Sequence, residues 1–176
     1  MELITSEDLL ADIAKKSLNS NIASLAAKRV TNHVLLEDII RNSHSDIAQV
    51  EAALRIPNKN LAASTLANIA KGGSVLGKYH AIKHLENQPL LEEIAQYDDL
   101  SIVRSWAIVK LTNQEVLGEI AKKEKDTPIS CLALTLMSEG QHRIDTIKAL
   151  DESVLLMAIN RGVSQSLLVE IAKNTN

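Results

Sequence analysis

Two histidines spaced one helical turn apart are the residues of this sequence that come nearest to a metal site. His80 and His84 share one face of a helix, because side chains four residues apart are neighbours there. Glu51 lies at the matching position one sequence repeat earlier, in a chain whose pattern repeats about every 26 residues. Two imidazoles and a carboxylate can hold zinc and leave one coordination position open. Since no H-E-x-x-H motif is present, these residues predict only an alternative function as a metal-binding protein or enzyme.

Larger side chains form a second candidate site, which we predict to bind a protein partner. They stand one position before and three positions after a recurring alanine, so that each pair lies on one helical face. The pairs are Leu25 and Arg29, Glu51 and Arg55, His80 and His84, Trp106 and Lys110, Leu132 and Leu136, Met157 and Arg161.

On stacked helices these pairs would form a strip, and its apolar part lies between Lys110 and Arg161. A tryptophan and aliphatic side chains bordered by basic residues suit a groove for a peptide or a helix. We therefore predict a partner-binding surface at Trp106, Lys110, Leu132, Leu136, Met157, Arg161, Arg29 and Arg55. The alternative interpretation is that these side chains only flank the core, with the stems of the basic residues covering the seam between repeats.

Catalysis by a cysteine nucleophile is not expected. The single cysteine, Cys131, lies beside Leu132 in an apolar segment and has no histidine near it in sequence, so we interpret it as a buried structural thiol. One cysteine also cannot form an internal disulfide. The sequence therefore predicts a protein that is not an enzyme, in a reducing compartment.

The overall charge disfavours nucleic acid and anionic lipid as partners. The formal net charge is −3 and the sequence pI is about 6.0, which gives no positive field around the molecule. No run of 18 apolar residues is present, and the first residues lack the pattern of a signal peptide, so we expect a cytoplasmic protein without a membrane span. Nucleic-acid binding remains a weaker alternative along Lys28, Arg29, Arg55, Lys83 and Lys110.

An internal repeat predicts the helices that must position these side chains. Isoleucine anchors of L-x-x-I segments recur at nearly regular intervals, at Ile13, Ile39, Ile69, Ile94, Ile120, Ile147 and Ile171. Between them, alanines that centre a second apolar stripe recur with a similar period, at Ala26, Ala52, Ala81, Ala107, Ala133 and Ala158. Each stripe has the spacing of one helical face. The pattern predicts one all-α domain over residues 1–176, with six helical pairs and a terminal helix.

Small polar residues mark the predicted helix starts, because their side chains can accept hydrogen bonds from the first amides of a helix. The candidates are Ser6, Asn32, Asn87, Asn113 and Ser164 for the first helices and Asn19, Ser45, Ser74, Asp126 and Asp151 for the second, with Asp99 replacing Leu100. The longest spacing, from Ile39 to Ile69, predicts a first helix over residues 58–71 that is longer by one turn. Acid and base pairs on the first helices predict a solvated outer face: Asp12 with Lys15, Asp38 with Arg41, Glu119 with Lys122, and Glu170 with Lys173.

The pattern L-x-x-I-A, a polar break and V-R-x-x-A-x-x-x-L, seen in LLEEIAQYDDLSIVRSWAIVKL, resembles bacterial HEAT-like repeats. The period of about 26 residues and the segment AINRGVSQSLLVEIAK are also similar to the variant leucine-rich repeat family. The resemblance implies a right-handed α-solenoid that acts as a non-catalytic scaffold and binds a peptide, a helix or a folded partner. We expect a monomer or a homodimer through the carboxy-terminal helix. Some members of that family carry an iron–sulfur cluster, but with Cys131 alone we expect no cofactor.

Overall fold

The computed structural model describes residues 6–174, and all the regular elements in that range are α-helices. The first helices of the pairs are α1 (Ser6–Lys16), α3 (His33–Asn42), α5 (Lys59–Gly72), α7 (Gln88–Tyr97), α9 (Gln114–Lys123), α11 (Gln141–Lys148) and α13 (Gln165–Asn174). The second helices are α2 (Ser20–Ala27), α4 (Asp46–Ala53), α6 (Val75–His84), α8 (Ser101–Ile108), α10 (Thr127–Leu136) and α12 (Glu152–Asn160). The all-α class is therefore confirmed.

Contacts between residues divide the chain into two compact units, Met1–Glu86 and Asn87–Asn176. In the first unit, α4 packs between α2 and α6, and each of these second helices also packs against the first helix before it. In the second unit, α10 packs between α8 and α12, while α7, α9, α11 and α13 follow one another in a layer of first helices. The single domain over residues 1–176 stays a prediction.

The recurring alanines lie at buried positions of the second helices. All six are buried, with relative exposures between 0% and 5%. Because alanine has no side chain beyond Cβ, neighbouring helices can approach closely along this column. The isoleucine anchors of the first helices are likewise buried, except for Ile13, which is partly buried. The two apolar registers read from the sequence therefore form the core of each unit.

Most predicted caps make the expected hydrogen bonds. The predicted side chains that accept from amides of the first turn are those of Asn19, Asn32, Ser45, Ser74, Asn87, Asn113 and Ser164. Asn58, which is not among the predicted caps, caps α5 in the same way. Helix α5 has 14 residues and begins at Lys59, so its extra turn is confirmed.

Three predicted caps are wrong, and a fourth lies outside the described side chains. Asp126 and Asp151 occupy N-cap positions but accept no capping hydrogen bond. Asp99 does not cap α8, whose N-cap residue is Leu100; the Leu100 amide instead donates to Asp98 Oδ1 at 3.1 Å. The side chain of Ser6 is outside the described residues.

Two of the four predicted ion pairs on the first helices are present. Asp12 contacts Lys15 at 3.1 Å and Glu119 contacts Lys122 at 3.6 Å. The pairs of Asp38 with Arg41 and of Glu170 with Lys173 are not formed, because each acid finds a base from a neighbouring repeat. Lys15 lies 2.6 Å from Asp38, and both Nε and Nη2 of Arg143 donate to Glu170, at 2.7 Å and 2.9 Å.

Polar side chains near helix starts also reach the loop of the next repeat. Each accepts a backbone N–H, which compensates for an amide that no helix satisfies. The acceptors are Glu7 for Asn32 at 3.0 Å, Asp46 for Ser74 at 2.7 Å, Gln88 for Thr112 at 3.1 Å and Gln114 for Ser138 at 2.6 Å. These bonds fix the register of successive repeats within each unit.

The pair of Arg143 and Glu170 yields the first testable prediction. Arg143 is only 4% exposed and also donates to the Met137 carbonyl at 3.2 Å, so its loss leaves the Glu170 carboxylate partly buried without its cation. We expect Arg143→Leu to lower the free energy of unfolding by about 3 kcal/mol, as for other buried pairs that lose one partner. The measurement is urea unfolding followed by circular dichroism.

Arg41→Leu is the matched control, because Arg41 is exposed and contacts Glu37 at 3.4 Å on the same kind of helix. That variant should unfold almost like the parent chain, since exposed pairs add little stability. The double variant Arg143→Leu/Glu170→Leu should recover most of the loss. Equal unfolding midpoints for Arg143→Leu and Arg41→Leu would contradict the prediction.

Candidate functional site

In the second unit, the predicted partner-binding residues lie on three neighbouring helices. Trp106 lies on α8, and Leu132 and Leu136 lie on α10, which packs against both α8 and α12. Met157 on α12 is half-buried, as are Trp106 and Leu132, while Leu136 is 38% exposed. The basic residues that border this strip are half-buried Lys110 and exposed Arg161. These side chains are therefore partly accessible surface residues rather than members of the fully buried core.

Other exposed apolar residues on the same helices were missed from the sequence. Ile102 and Val109 of the α8 segment are 50% and 60% exposed, and Leu156 and Ile159 of α12 are 50% and 45% exposed. All four are out of phase with the apolar residues at four-residue spacing from the central alanines. That mismatch is the signal that could have identified them, because an apolar side chain outside the buried stripe has no core to enter.

Exposed apolar side chains are concentrated on the second helices. Among the described residues, seventeen large hydrophobic side chains are exposed, and eleven of them lie on second helices or their C-caps. The eleven are Ile22, Leu25, Leu54, Val75, Leu76, Tyr79, Ile102, Val109, Leu136, Leu156 and Ile159. The first helices instead carry the ion pairs of Asp12, Glu37 and Glu119. The two kinds of helix therefore present different surfaces to solvent.

At least two cavities lie in the second unit. One, of about 620 Å³, is bordered by α11, α12 and α13, with Leu156, Ile159 and Ile171 among its lining residues. The other, of about 670 Å³, lies at the ends of α7 and α9 and is lined in part by Tyr97, Arg104 and Lys123. Arg104 is the arginine of the V-R motif. Its guanidinium donates to Glu124 at 2.8 Å and 3.2 Å and to the Asp98 carbonyl at 2.9 Å, so it supports the fold.

In the first unit, Glu51 is at the centre of a charged cluster. Its side chain is only 10% exposed, and its two carboxylate oxygens contact Lys28 Nζ at 3.3 Å and Arg55 Nη1 at 3.2 Å. Arg55 Nη1 also donates to the backbone carbonyl of Glu51 at 2.9 Å. Arg29, the other predicted partner-binding residue of this unit, is exposed on the segment that follows α2. Glu51 is thus an ion-pair partner, and Arg29 and Arg55 are surface cations.

His80 lies close to this cluster, and its environment lowers the pKa of the imidazole. Burial is the main cause, because it disfavours the charged ring. The negative charge of Glu51 opposes the shift, whereas the positive charges of Lys28 and Lys83 add to it. The ring of Tyr79 meets the imidazole edge to face, with centroids 5.4 Å apart. The neutral imidazole is therefore favoured near pH 7.

A metal site is not formed by these residues. Within residues 6–174, no group of three or more His, Cys, Asp or Glu side chains is placed to hold a metal ion. Glu51, His80 and His84 are therefore not brought together as a ligand set. The Glu51 oxygens instead contact two cations. Cys131 is fully buried, and burial raises the pKa of its thiol, while the charge of Arg161 acts in the opposite direction. Its thiol is therefore kept in the protonated, unreactive form.

Comparisons with known proteins give no relative. No protein-family model, no curated protein and no solved structure matches this chain. The resemblance to HEAT-like and variant leucine-rich repeats thus depends on the residue pattern alone. No helix in the described part of the chain is long and apolar enough to cross a membrane.

Replacing Glu51 tests the electrostatics of the cluster. We expect Glu51→Gln to lower the pKa of His80 further, because the substitution removes the negative charge that favours the protonated ring and leaves Lys28 and Lys83 in place. The measurement is an NMR titration of the imidazole C–H resonances between about pH 4 and pH 8, around the ordinary histidine pKa.

The control for this titration is Glu37→Gln, which removes the same charge from α3. It should leave the His80 titration unchanged, because Glu37 lies on a first helix and is paired with Arg41. An equal or higher pKa of His80 in Glu51→Gln would show that the charge of Glu51 does not reach the ring.

Proposed function

We propose that this protein is a non-catalytic scaffold that binds a peptide, a helix or a folded protein partner on the surface lined by its second helices. We further propose that the helical pairs form a right-handed α-solenoid of about 26 residues per repeat, of the HEAT-like or variant leucine-rich repeat type. The side-by-side packing of α2, α4 and α6 in one unit, and of α8, α10 and α12 in the other, supports this arrangement.

The concentration of exposed apolar side chains on the second helices carries this proposal. Eleven of the seventeen exposed large hydrophobic side chains of the described residues lie there, although a helix needs only its buried stripe to fold. Apolar side chains grouped on one surface, with polar residues beside them, are typical of sites that bind proteins. Trp106 is the expected anchor, because a large aromatic side chain buries much area when a partner covers it.

The surface is preformed, which favours binding without rearrangement. Every central alanine of the second helices is buried, and α2, α4 and α6 are also capped by side chains at their first amides. A partner would therefore not need to order these helices, and the entropic cost of association would fall mainly on flexible side chains. This is the property expected of a repeat scaffold.

The alternative functions receive less support. A metal-binding protein or enzyme centred on Glu51, His80 and His84 would require that the Glu51 carboxylate leave its two cations. Nucleic-acid binding would use cations of the first unit, such as Lys28 and Arg55, and Lys110 of the second, and salt-dependent retention on heparin would favour it. A cytoplasmic location belongs to the proposal as well.

The oligomeric state is also part of the proposal. We propose a monomer or a homodimer through α13. The cavity of about 620 Å³ beside α13 has apolar lining residues that a second copy would cover. Light scattering of the purified chain distinguishes the two states.

Substitution of the second-helix surface tests the scaffold function. The immobilised chain and its variants would be used to capture proteins from a lysate of the native organism, with quantitative mass spectrometry of the bound fraction. We expect Trp106→Ala and Val109→Ser to reduce the specific captured proteins about tenfold, as for loss of an interface anchor. Val109 is 60% exposed, so its replacement should not affect folding.

Val34→Ser is the matched control, because Val34 is 76% exposed but lies on the first helix α3. It should capture the same proteins as the parent chain. Circular dichroism and thermal melting would confirm that each bait is folded. If Trp106→Ala and Val109→Ser both retain the full set of captured proteins, the second helices of the second unit are not the binding surface.

A further inference from the structure

The first unit has a surface on its second helices that is distinct from the tryptophan strip of the second unit. Its middle helix, α4, is almost covered: six of its eight residues are buried, and Glu51 is 8% exposed. The helices on either side are open to solvent, with Leu25 of α2 at 62% and Leu76 of α6 at 50%. Glu51 and its cations therefore lie between two exposed, partly apolar flanks.

Positive charge predominates on this surface. Helices α2, α4 and α6, each taken with the two residues that follow it, carry five cationic side chains, which are Lys28, Arg29, Arg55, Lys78 and Lys83. They carry three acids, which are Asp46, Glu51 and the exposed Glu86, and the first two are occupied within the fold. Asp46 accepts hydrogen bonds from the amide and hydroxyl of Ser74 at 2.7 Å and 2.6 Å, and Glu51 holds Lys28 and Arg55. Because the cations outnumber the acids, the surface carries a net positive charge.

The first helices of the same unit have no such surplus. The described residues of α1, α3 and α5 carry five acids, Glu7, Asp8, Asp12, Glu37 and Asp38, and five cations, Lys15, Lys16, Arg41, Lys59 and Lys71. Several of these charges form pairs, such as Lys15 with Asp12 and Asp38. The positive potential is therefore specific to the second helices, as expected for a surface that steers an anionic partner.

Apolar side chains lie beside these cations at helical spacing. Leu25 precedes Lys28 by three residues, and Leu76 precedes Tyr79 and His80 by three and four. Residues at these spacings are neighbours on a helix surface. Each flank therefore offers an apolar contact next to a polar or charged one. This combination suits an amphipathic peptide better than a nucleic acid, which would need aromatic stacking or a longer basic track.

We infer that the second-helix surface of the first unit binds an acidic, amphipathic peptide segment. Lys28 and Arg55 receive its carboxylates, while Leu25, Leu76 and Tyr79 contact its apolar side chains. The inference deepens the proposed scaffold function, on which it rests, by naming the partner class for this unit.

Glu51 prepares the two main cations for this role. It contacts Lys28 and Arg55 from a nearly buried position, so the two flexible side chains are already restrained before a ligand arrives. Restraint of this kind reduces the entropic cost of binding. Arg55 uses only Nη1 for its contacts with Glu51, and a guanidinium carries five N–H donors, so donors remain for an incoming carboxylate.

Fluorescence anisotropy with designed peptides tests the inference on the full chain. The probe is a fluorescein-labelled peptide of about 14 residues with glutamate and leucine on opposite faces of a helix. Two matched peptides replace every glutamate by lysine or every leucine by serine, and a labelled single-stranded oligonucleotide of similar length is a fourth probe. We expect the chain to bind the Glu/Leu peptide, and raised salt to weaken this binding, because the attraction between the charges is screened.

Substitutions then locate the site. Lys28→Gln/Arg55→Gln should weaken binding of the Glu/Leu peptide about tenfold, because two of the cations that receive carboxylates are lost. Arg41→Gln/Lys59→Gln, which removes the same charge from exposed residues of α3 and α5, should leave binding within about twofold of the parent, because neither residue contacts Glu51 and exposed charges are screened by salt. Leu25→Glu changes only an exposed side chain and should also weaken binding, so the inference remains testable if the first double variant does not fold.

Several outcomes would overturn the inference. One is that Lys28→Gln/Arg55→Gln binds the Glu/Leu peptide as tightly as the control variant does. Another is that the chain binds the Glu/Leu and Lys/Leu peptides equally. A third is that it binds the oligonucleotide more tightly than the Glu/Leu peptide. Association of a second copy of the chain, seen by sedimentation and abolished by Lys28→Gln/Arg55→Gln, would identify a different occupant and also overturn it. If protein capture through Trp106 persists while the Glu/Leu peptide does not bind, only this inference fails and the scaffold function stands.

Discussion

The shortness of its helices is the constraint on which the rest of this structure depends. The shortest, such as α2, have 8 residues, and the longest, α5, has 14 residues. Such lengths are marginal for an isolated helix in water, so each helix must bury one face against its neighbours to persist. The central alanines make that burial possible at close distance. Because the fold requires only these stripes and the caps, side chains elsewhere on the second helices are not needed for packing. They remain available to contact other molecules.

Polar bonds between successive repeats complete the fold and decide which charges remain for binding. Arg143 is committed to Glu170, Arg104 to Glu124 and Lys15 to Asp38, each across one repeat. Such pairs satisfy charges that the packing of helices would otherwise leave partly buried. In the first unit, by contrast, two cations of the second helices, Lys28 and Arg55, share a single carboxylate, that of Glu51.

The sequence predicts the helices well and the surface poorly, for a physical reason. Buried stripes and caps are local patterns, so the alanine column and the extra turn of α5 could be read from spacing. The partner of a charge is not local: Arg143 and Glu170 are 27 residues apart, and Asp38 pairs with a lysine 23 residues earlier. How far a side chain such as Trp106 or Met157 is covered likewise depends on the neighbouring helix, which no periodicity within one helix reveals.

The position one residue before each central alanine shows how one fold supports different surfaces. Its occupants are Leu25, Glu51, His80, Trp106, Leu132 and Met157, which share neither size nor charge. Their surroundings also differ, from Glu51, which is 8% exposed, to Leu25, which is 62% exposed. A position needed for packing would not accept such a range, as the invariably small central alanine demonstrates. This position therefore varies between repeats, from the nearly buried Glu51, which holds Lys28 and Arg55 in the first unit, to the partly exposed Trp106, Leu132 and Met157 in the second.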